Sequence, residues 1–515
     1  MPLVPIQLPP GLERNGTPYE TPGKWWDMSL MRWQSGSTRP VGGWQRLTPV
    51  AIDSPARKFF TWRDNENATV VLVGTDNKLW VDYGGYIDIT PTTLVPPFVP
   101  PLPSLAGGYG TGLYSTDLYS VPRAPSTAFS NEANTLWSMD NFGEDVFMVA
   151  SSDGRLLRYV RQTPDQPPII QAGAPIGNTA VVVTDERYVM VIGTTSNAGP
   201  DLGTFYPRRI AWCNQEDPSD WDYASLTNTA GFLDLNATSP LFRGVRVLGG
   251  TLVFSATDVF LVQYVGTPYV YNAQKVGEAE HLHPYTVATW DGKAMWWTSR
   301  GFQMFAGGYV QPAACPIFDD LSNDFDPTWG PIRAHSSHNG AYPEVWFFYP
   351  SIGHTECNRY AAYNYLENHW MWGALDRTAM VSAGATARPL MGGIDSHIYD
   401  HESGWTAAGL PILGGRFLET GALGVGDGSN LVEVRQAMLA TSKAASDPTP
   451  VDITFFGRFT PDGAERTFGP YVPRANGYTD TRVNVREGRV RYTARVDAEF
   501  ALGVLRLDVA PGGTR

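Results

Sequence analysis

The 515 residues carry 38 Lys plus Arg against 51 Asp plus Glu, a formal net charge of −13, with 17% charged and 43% hydrophobic residues. This composition excludes a disordered polyelectrolyte and argues against a protein whose main work is gripping phosphates, which needs Lys and Arg to displace counterions. The 53 Gly and 41 Pro beside 24 Tyr, 23 Phe and 17 Trp exclude long helical bundles and point to an all-β chain of short strands and turns.

The first stretch, Met1-Pro2-Leu3-Val4-Pro5-Ile6, has neither a cationic region nor an uninterrupted apolar one, so no signal peptide is expected. Residues 1–45 place Trp25, Trp26, Trp33 and Trp44 among Pro and Gly and read as an extended N-terminal arm. Such an arm must dock to hide its indoles, which makes Trp25, Trp26, Trp33, Arg39 and Trp44 candidate interface residues.

Residues 46–410 repeat one unit: an alternating apolar strand, a short Gly, Asp or Asn turn, and a second strand with an aromatic residue. It appears at Val70 to Val81, Val146 to Tyr159, Thr251 to Tyr264, Ala294 to Phe305, Glu344 to Tyr363 and Leu390 to Tyr399. The last four start about 40 to 50 residues apart, the length of a four-stranded propeller blade. The pattern predicts a β-propeller-like body of six or seven irregular blades; ordinary hairpins in one or two sandwiches are the alternative. The WD-repeat signature is absent, since Trp26-Asp27, Trp221-Asp222 and Trp290-Asp291 do not close the units, and Ser151-Ser152-Asp153-Gly154 lacks the spacing of a sialidase Asp box. Residues 92–135, with Pro96-Pro97-Phe98-Val99-Pro100-Pro101-Leu102-Pro103 and then Gly107-Gly108-Tyr109-Gly110-Thr111-Gly112, read as an excursion from this body. From residue 411 to 515 the strands lengthen, as in Val451 to Phe456 and Arg489 to Val496, and predict a small C-terminal β-domain.

Chemistry-bearing residues are few. His335 with His338, His397 with His401, and His354 with Cys357 have pairwise metal-ligand spacing but no third and fourth ligand nearby, so they read as turn or surface residues. The acidic group Asp319, Asp320, Asp324 and Asp326 lacks EF-hand spacing and reads as a solvated loop. No nucleophile elbow, phosphate-binding loop or dinucleotide fingerprint occurs, and no catalytic residue, cofactor or metal is assigned. Cys213, Cys315 and Cys357 make no disulfide framework and fit a reducing compartment. The sequons at Asn15, Asn67 and Asn236 read as chance matches, and no run is long and apolar enough for a membrane helix.

The most distinctive string is Arg208-Arg209-Ile210-Ala211-Trp212-Cys213-Asn214-Gln215-Glu216-Asp217-Pro218-Ser219-Asp220-Trp221, a strand ending in a Pro turn where Asp217 and Ser219 bond nearby amides. Beside it stand Pro9-Pro10-Gly11 to Asn15-Gly16, Arg32-Trp33 to Arg39-Pro40-Val41-Gly42-Gly43-Trp44, Asp140-Asn141-Phe142-Gly143-Glu144 and Thr184-Asp185-Glu186-Arg187. As a set, over most of residues 1–405, these strings resemble the nozzle (tail hub) protein of short-tailed bacteriophages. The resemblance implies a non-enzymatic virion tail component, made in the host cytoplasm. It implies a homohexameric tube below the tail adaptor protein, flanked by tail fibre or spike proteins. Double-stranded DNA would then pass down its channel without sequence-specific binding.

An acidic balance suits such a conduit, because an acidic wall repels phosphates while a basic one holds them. A head-to-tail ring needs two different complementary surfaces per subunit, and the C-terminal domain is expected to supply much of that contact. The rival expectation, from another class, is a propeller-type carbohydrate-binding or glycosidase protein acting on host-surface polysaccharide, with Trp290, Trp296 and Trp297 as stacking platforms.

Overall fold

The computed structural model describes residues 3–14, 16–98, 106–108, 123–126, 135–225, 227–280, 283–412, 414–423, 430–442, 449–460 and 463–513. Among them the chain builds seven four-stranded antiparallel sheets and a two-sheet sandwich. The sheets are blade 1 (56–88), blade 2 (137–170), blade 3 (180–234), blade 4 (241–278), blade 5 (287–313), blade 6 (335–374) and blade 7 (379–401), the last completed by Trp44–Arg46. The first strand of each blade lies against the first strand of the next, and blade 7 returns to blade 1, which closes a seven-bladed propeller.

Each expected two-strand unit is the middle of a blade, where both faces are covered and the strands read as nearly continuous apolar runs. The apolar side chains meet between blades. Blades 1 and 2 share Leu72, Val81, Trp137 and Met148, and blades 4 and 5 share Leu252, Phe254, Ala294 and Trp296. Trp137 and Trp296 are fully enclosed. At about 25 cal/mol per Å² over roughly 150–250 Å², each indole contributes about 4–6 kcal/mol before its ordering entropy. Gly74 lets the first of them in: a Cβ there would lie 2.4 Å from Cδ1 of Trp137, whose Nε1–H donates to the Thr75 carbonyl at 2.8 Å.

The excursion expected at 92–135 falls mostly outside the described residues; within it Ala106–Gly108 pairs antiparallel with Arg123–Ser126.

The C-terminal domain is a sandwich, and the N-terminal segment is part of it. One sheet runs Met31–Gln34, Ser37–Pro40, Ala501–Pro511, Val432–Ser442, Tyr478–Val485, with Val4–Ile6 also on Ala501–Pro511. The other runs Trp25–Ser29, Phe417–Thr420, Glu487–Ala494, Val451–Arg458, Arg466–Tyr471. Strict alternation of buried and partly exposed residues along Val451–Arg458 and Tyr478–Val485 turns one face of each sheet inward. That core is continuous with blades 5 to 7 through Met28, Trp33, Trp346, Phe347 and Leu418.

The expected extended arm is thus built of strands: among its described residues Val4–Ile6, Trp25–Ser29 and Ser37–Pro40 pair with strands near the far end of the chain, and Trp44–Arg46 is the outer strand of blade 7, pairing with Tyr399–His401.

Candidate functional site

Two places concentrate buried polar chemistry: the seam where the N-terminal strands join sandwich to propeller, and the propeller axis. At the seam the Arg32 guanidinium, 1% exposed, meets two carboxylates from distant parts of the chain. Its Nε lies 2.9 Å from Oε1 of Glu344 in blade 6, and its Nη2 reaches Oε1 of Glu402, just past blade 7. Trp346 Nε1–H donates to Glu344 at 2.8 Å, the Gly42 amide donates to Glu402 at 3.0 Å, and the Tyr342 ring lies 3.6 Å from the guanidinium carbon. Burial pushes the Glu344 carboxyl up; Arg32 opposes it and Glu402 adds to it.

Nearby, Arg416 donates to the Trp405 carbonyl at 2.7 Å, to Asp497 at 2.9 Å and to the Val41 carbonyl at 3.0 Å, tying strand, loop and sandwich together. Gly43 permits the close pass, since a Cβ there would sit 2.3 Å from the Thr406 carbonyl oxygen.

The predicted interface residues lie along this seam. Trp25 is half-buried against Trp33 and Tyr492, at 6.3 and 6.2 Å between ring centroids. Trp26 is buried under the Arg14 guanidinium, and Trp33 packs edge-on to His369 at 5.3 Å. Trp44 stacks on His401 at 5.3 Å and 21°, with Arg377 4.9 Å from its ring and donating through Nε to His401 Nε2 at 2.7 Å. Burial and that guanidinium hold His401 well below the usual histidine range, so it accepts as a neutral imidazole. Only Arg39 is at the surface, paired with Glu499 at 3.2 Å. All four indoles find partners within the chain, several of them brought from positions hundreds of residues away.

At the axis, Arg57, Lys58, Arg243, Tyr285, His335 and Met380, from or next to the first strands of five blades, converge on a cavity of about 20 Å³. That is room for about one water. Arg57 is bidentate to Glu356, 2.7 Å on each arm, and bonds Asp76 at 2.9 Å. Asp140 accepts from Arg246 at 2.9 Å and from the Val183 amide at 2.8 Å. Tyr285 donates its hydroxyl to the Trp137 carbonyl and lies under both remaining cations, 5.5 Å from Lys58 Nζ and 5.0 Å from Arg243 Cζ. Burial, reinforced by Arg243 and opposed by Asp140, pulls the Lys58 ammonium down to about 7. Burial likewise lowers His283 to about 4 and His335 to about 3, so both are neutral at ordinary pH.

Sequence reasoning passed over this cluster. The available signal was a cation inside an apolar strand, as in Ala56-Arg57-Lys58-Phe59-Phe60 and Leu241-Phe242-Arg243-Gly244-Val245.

The other flagged residues are structural. Trp290, Trp296 and Trp297 are 5%, 0% and 2% exposed, blade core rather than platforms. Asp319, Asp320 and Asp324 lie in the short helix Phe318–Asp324; Asp320 pairs with Arg14, Asp324 accepts from Tyr349, and Asp326 caps the turn at Thr328 and Trp329, so three of the four acidic residues are used by their neighbours. Two of the suspected surface histidines, His335 and His401, are buried. Among the described residues no three His, Cys, Asp or Glu groups cluster as a metal site, and no helix is long and apolar enough to cross a membrane.

Exposed apolar side chains are scattered over the surface, among them Val50, Val95, Leu248 and Leu366, and two groups of them lie at the ends of one strand of blade 3. The long hairpin Asp258–Gly266 and Val270–Glu278 of blade 4 exposes Tyr264, Val265 and Tyr269 near its tip, whereas blade 3 exposes Ile176, Leu202 and Phe205 around its 196–204 turn. Tyr264 lies by Tyr188 at one end of the blade 3 strand Val189–Thr195, and Phe205 pairs with Thr195 at the other.

The chain matches no protein-family model and no curated protein. Among solved structures it is similar to the Pan2 WD40 domain of Neurospora crassa, at 8% identity and a TM-score of 0.37, covering 69% of this chain and 94% of that one. It is also similar to a Bacteroides fragilis protein described as exported, at 7% identity and a TM-score of 0.30, covering 50% of this chain and 79% of that one.

Proposed function

We propose that this chain is the nozzle subunit of a short-tailed phage tail, a structural component that forms a ring with copies of itself below the adaptor. The observation that carries the reading is the pair of apolar surfaces at opposite ends of blade 3. A head-to-tail ring uses two unlike patches on each subunit, and a body with two separated patches can supply them. The narrow axis supports the same reading from the other side. A cavity of about 20 Å³ admits no nucleic acid, so any DNA passage runs between copies and not through one propeller.

In this reading the six-copy tube, the adaptor above, the fibres or spikes at its side and the virion location follow the sequence resemblance. The sandwich is expected to supply much of the ring contact, and the reading adds blades 3 and 4 as a further contact. Deleting residues 411–515 would strip the N-terminal strands of their partners, so point changes make the cleaner test.

Tyr269→Glu combined with Val265→Glu is expected to keep the unfolding midpoint within 2 °C, roughly the effect of surface changes, while abolishing incorporation into tails. Electron microscopy of particles carrying the native chain should locate it in the tail as a ring; unchanged incorporation of the double variant, or a chain absent from the tail, would sink the reading. The polysaccharide reading loses its stacking residues, because all three indoles are inside blades.

A further inference from the structure

The axial cluster holds more positive charge than its neighbours neutralise. Arg57 and Arg333 share Glu356 and Asp76, and Asp140 is taken by Arg246 and two backbone amides. Tyr285 is committed to the Trp137 carbonyl, and His283 and His335 are neutral. Lys58 and Arg243 are left on the cavity wall with an aromatic ring as their shared neighbour; among the described residues neither has a carboxylate at ion-pair distance, Asp140 acts on both only from further off, and the Arg243 Nε is buried with no acceptor. Unpaired cations in a poorly hydrated space repel one another far more than in water, and a water molecule can solvate but not offset them.

We propose that this axial cavity binds one halide-sized inorganic anion, held between the Lys58 ammonium and the Arg243 guanidinium. The volume sets the class. About 20 Å³ fits a monatomic ion or a water, and excludes a phosphate or a carboxylate-bearing metabolite. The anion supplies the acceptor that Arg243 Nε lacks and the charge that Lys58 lacks, and by joining blades 1 and 4 across the axis it ties opposite sides of the ring. Without it Lys58 sheds its proton near neutrality, which is the competing resolution of the same strain.

The test uses the full-length protein in halide-free buffer, titrated with sodium bromide against sodium gluconate at constant ionic strength. A ligand that binds only the folded state raises the unfolding midpoint logarithmically, here by about 1–3 °C per tenfold bromide above Kd. Lys58→Met, close in length and uncharged, is expected to lose that response and to melt at a bromide-independent temperature. Arg243→Met serves as the second variant should Lys58→Met fold poorly. Crystals soaked in bromide should show an anomalous peak beside Lys58 Nζ and Arg243. An equal bromide response in both variants, no response in the native protein, or bromide ordered only elsewhere would overturn the proposal.

Discussion

The seam and the axis both bury charge, yet they resolve it in opposite ways. At the seam Arg32 faces two carboxylates, and each carboxylate has further donors in Trp346 and the Gly42 amide. At the axis Lys58 and Arg243 line one cavity, and among the described residues neither has a carboxylate at ion-pair distance. A paired buried charge adds little net stability, but it is severe to break; an unpaired one destabilises while it stays and is a gain to remove. The contrast teaches which region holds the architecture together and which leaves room for a ligand.

The largest effect is expected from Arg32→Met. It strands Glu344 and Glu402 in the interior and is expected to destabilise by about 3–5 kcal/mol, read from the denaturant midpoint. Adding Glu344→Gln and Glu402→Gln should recover much of the loss; no recovery would mean the guanidinium matters for packing and not for charge. Trp44→Ala, which removes the ring stacked on His401 and loosens the outer strand of blade 7, is expected to cost about 2–4 kcal/mol. A loss below 1 kcal/mol would show that the strand's backbone pairing suffices, on the scale at which core truncations are otherwise felt.

At the axis the sign reverses. Lys58→Met in halide-free buffer is expected to stabilise by about 1–2 kcal/mol at neutral pH. The pH dependence follows from the same group. Its folded value, about 7, is below the ordinary 10.5, so between these values the unfolded chain binds a proton the native state has released. Native stability therefore rises with pH across that window, by at most about 1.4 kcal/mol per unit, and the Met variant should lose this slope. The smallest effect belongs to the seam's exposed edge: Arg39→Ala, breaking a solvent-facing pair with Glu499, is expected to move stability by less than about 0.5 kcal/mol. A larger change would mean that the outer face of the sandwich is more enclosed than its exposure suggests.

The blades were legible because their middle strands are covered on both faces, so apolar runs and tight turns stand out at Val70 to Val81 or Leu390 to Tyr399. Blade 3 escaped as a repeat. Its strands Val189–Thr195 and Phe205–Trp212 are separated by a nine-residue turn, and its outer strand Gly231–Asp234 follows the long Cys213-to-Ala230 connection. The sandwich strands Val451–Arg458 and Glu487–Ala494 were readable from their period of two, but the N-terminal ones were not. Trp25–Ser29 and Met31–Gln34 are too short to show a period, and the residues that bury their indoles, such as His369 and Tyr492, lie hundreds of positions away. The axial cations carry a weak local signal, a cation inside an apolar strand, but that they converge shows only once blades 1 and 4 to 7 are placed around a ring.

The pairing of Arg32 with Glu402, 370 residues further on, has a consequence for how the protein is made. At about 5–20 residues per second, the ribosome needs roughly 20–70 s to deliver that partner. Through that interval Trp44 lacks the His401 ring on which it stacks and Trp25 lacks Tyr492, while blades 1 to 6 can already assemble behind them. The N-terminal strands therefore take their place only after Phe417–Thr420 and Ala501–Pro511 have been made, as a late step of folding.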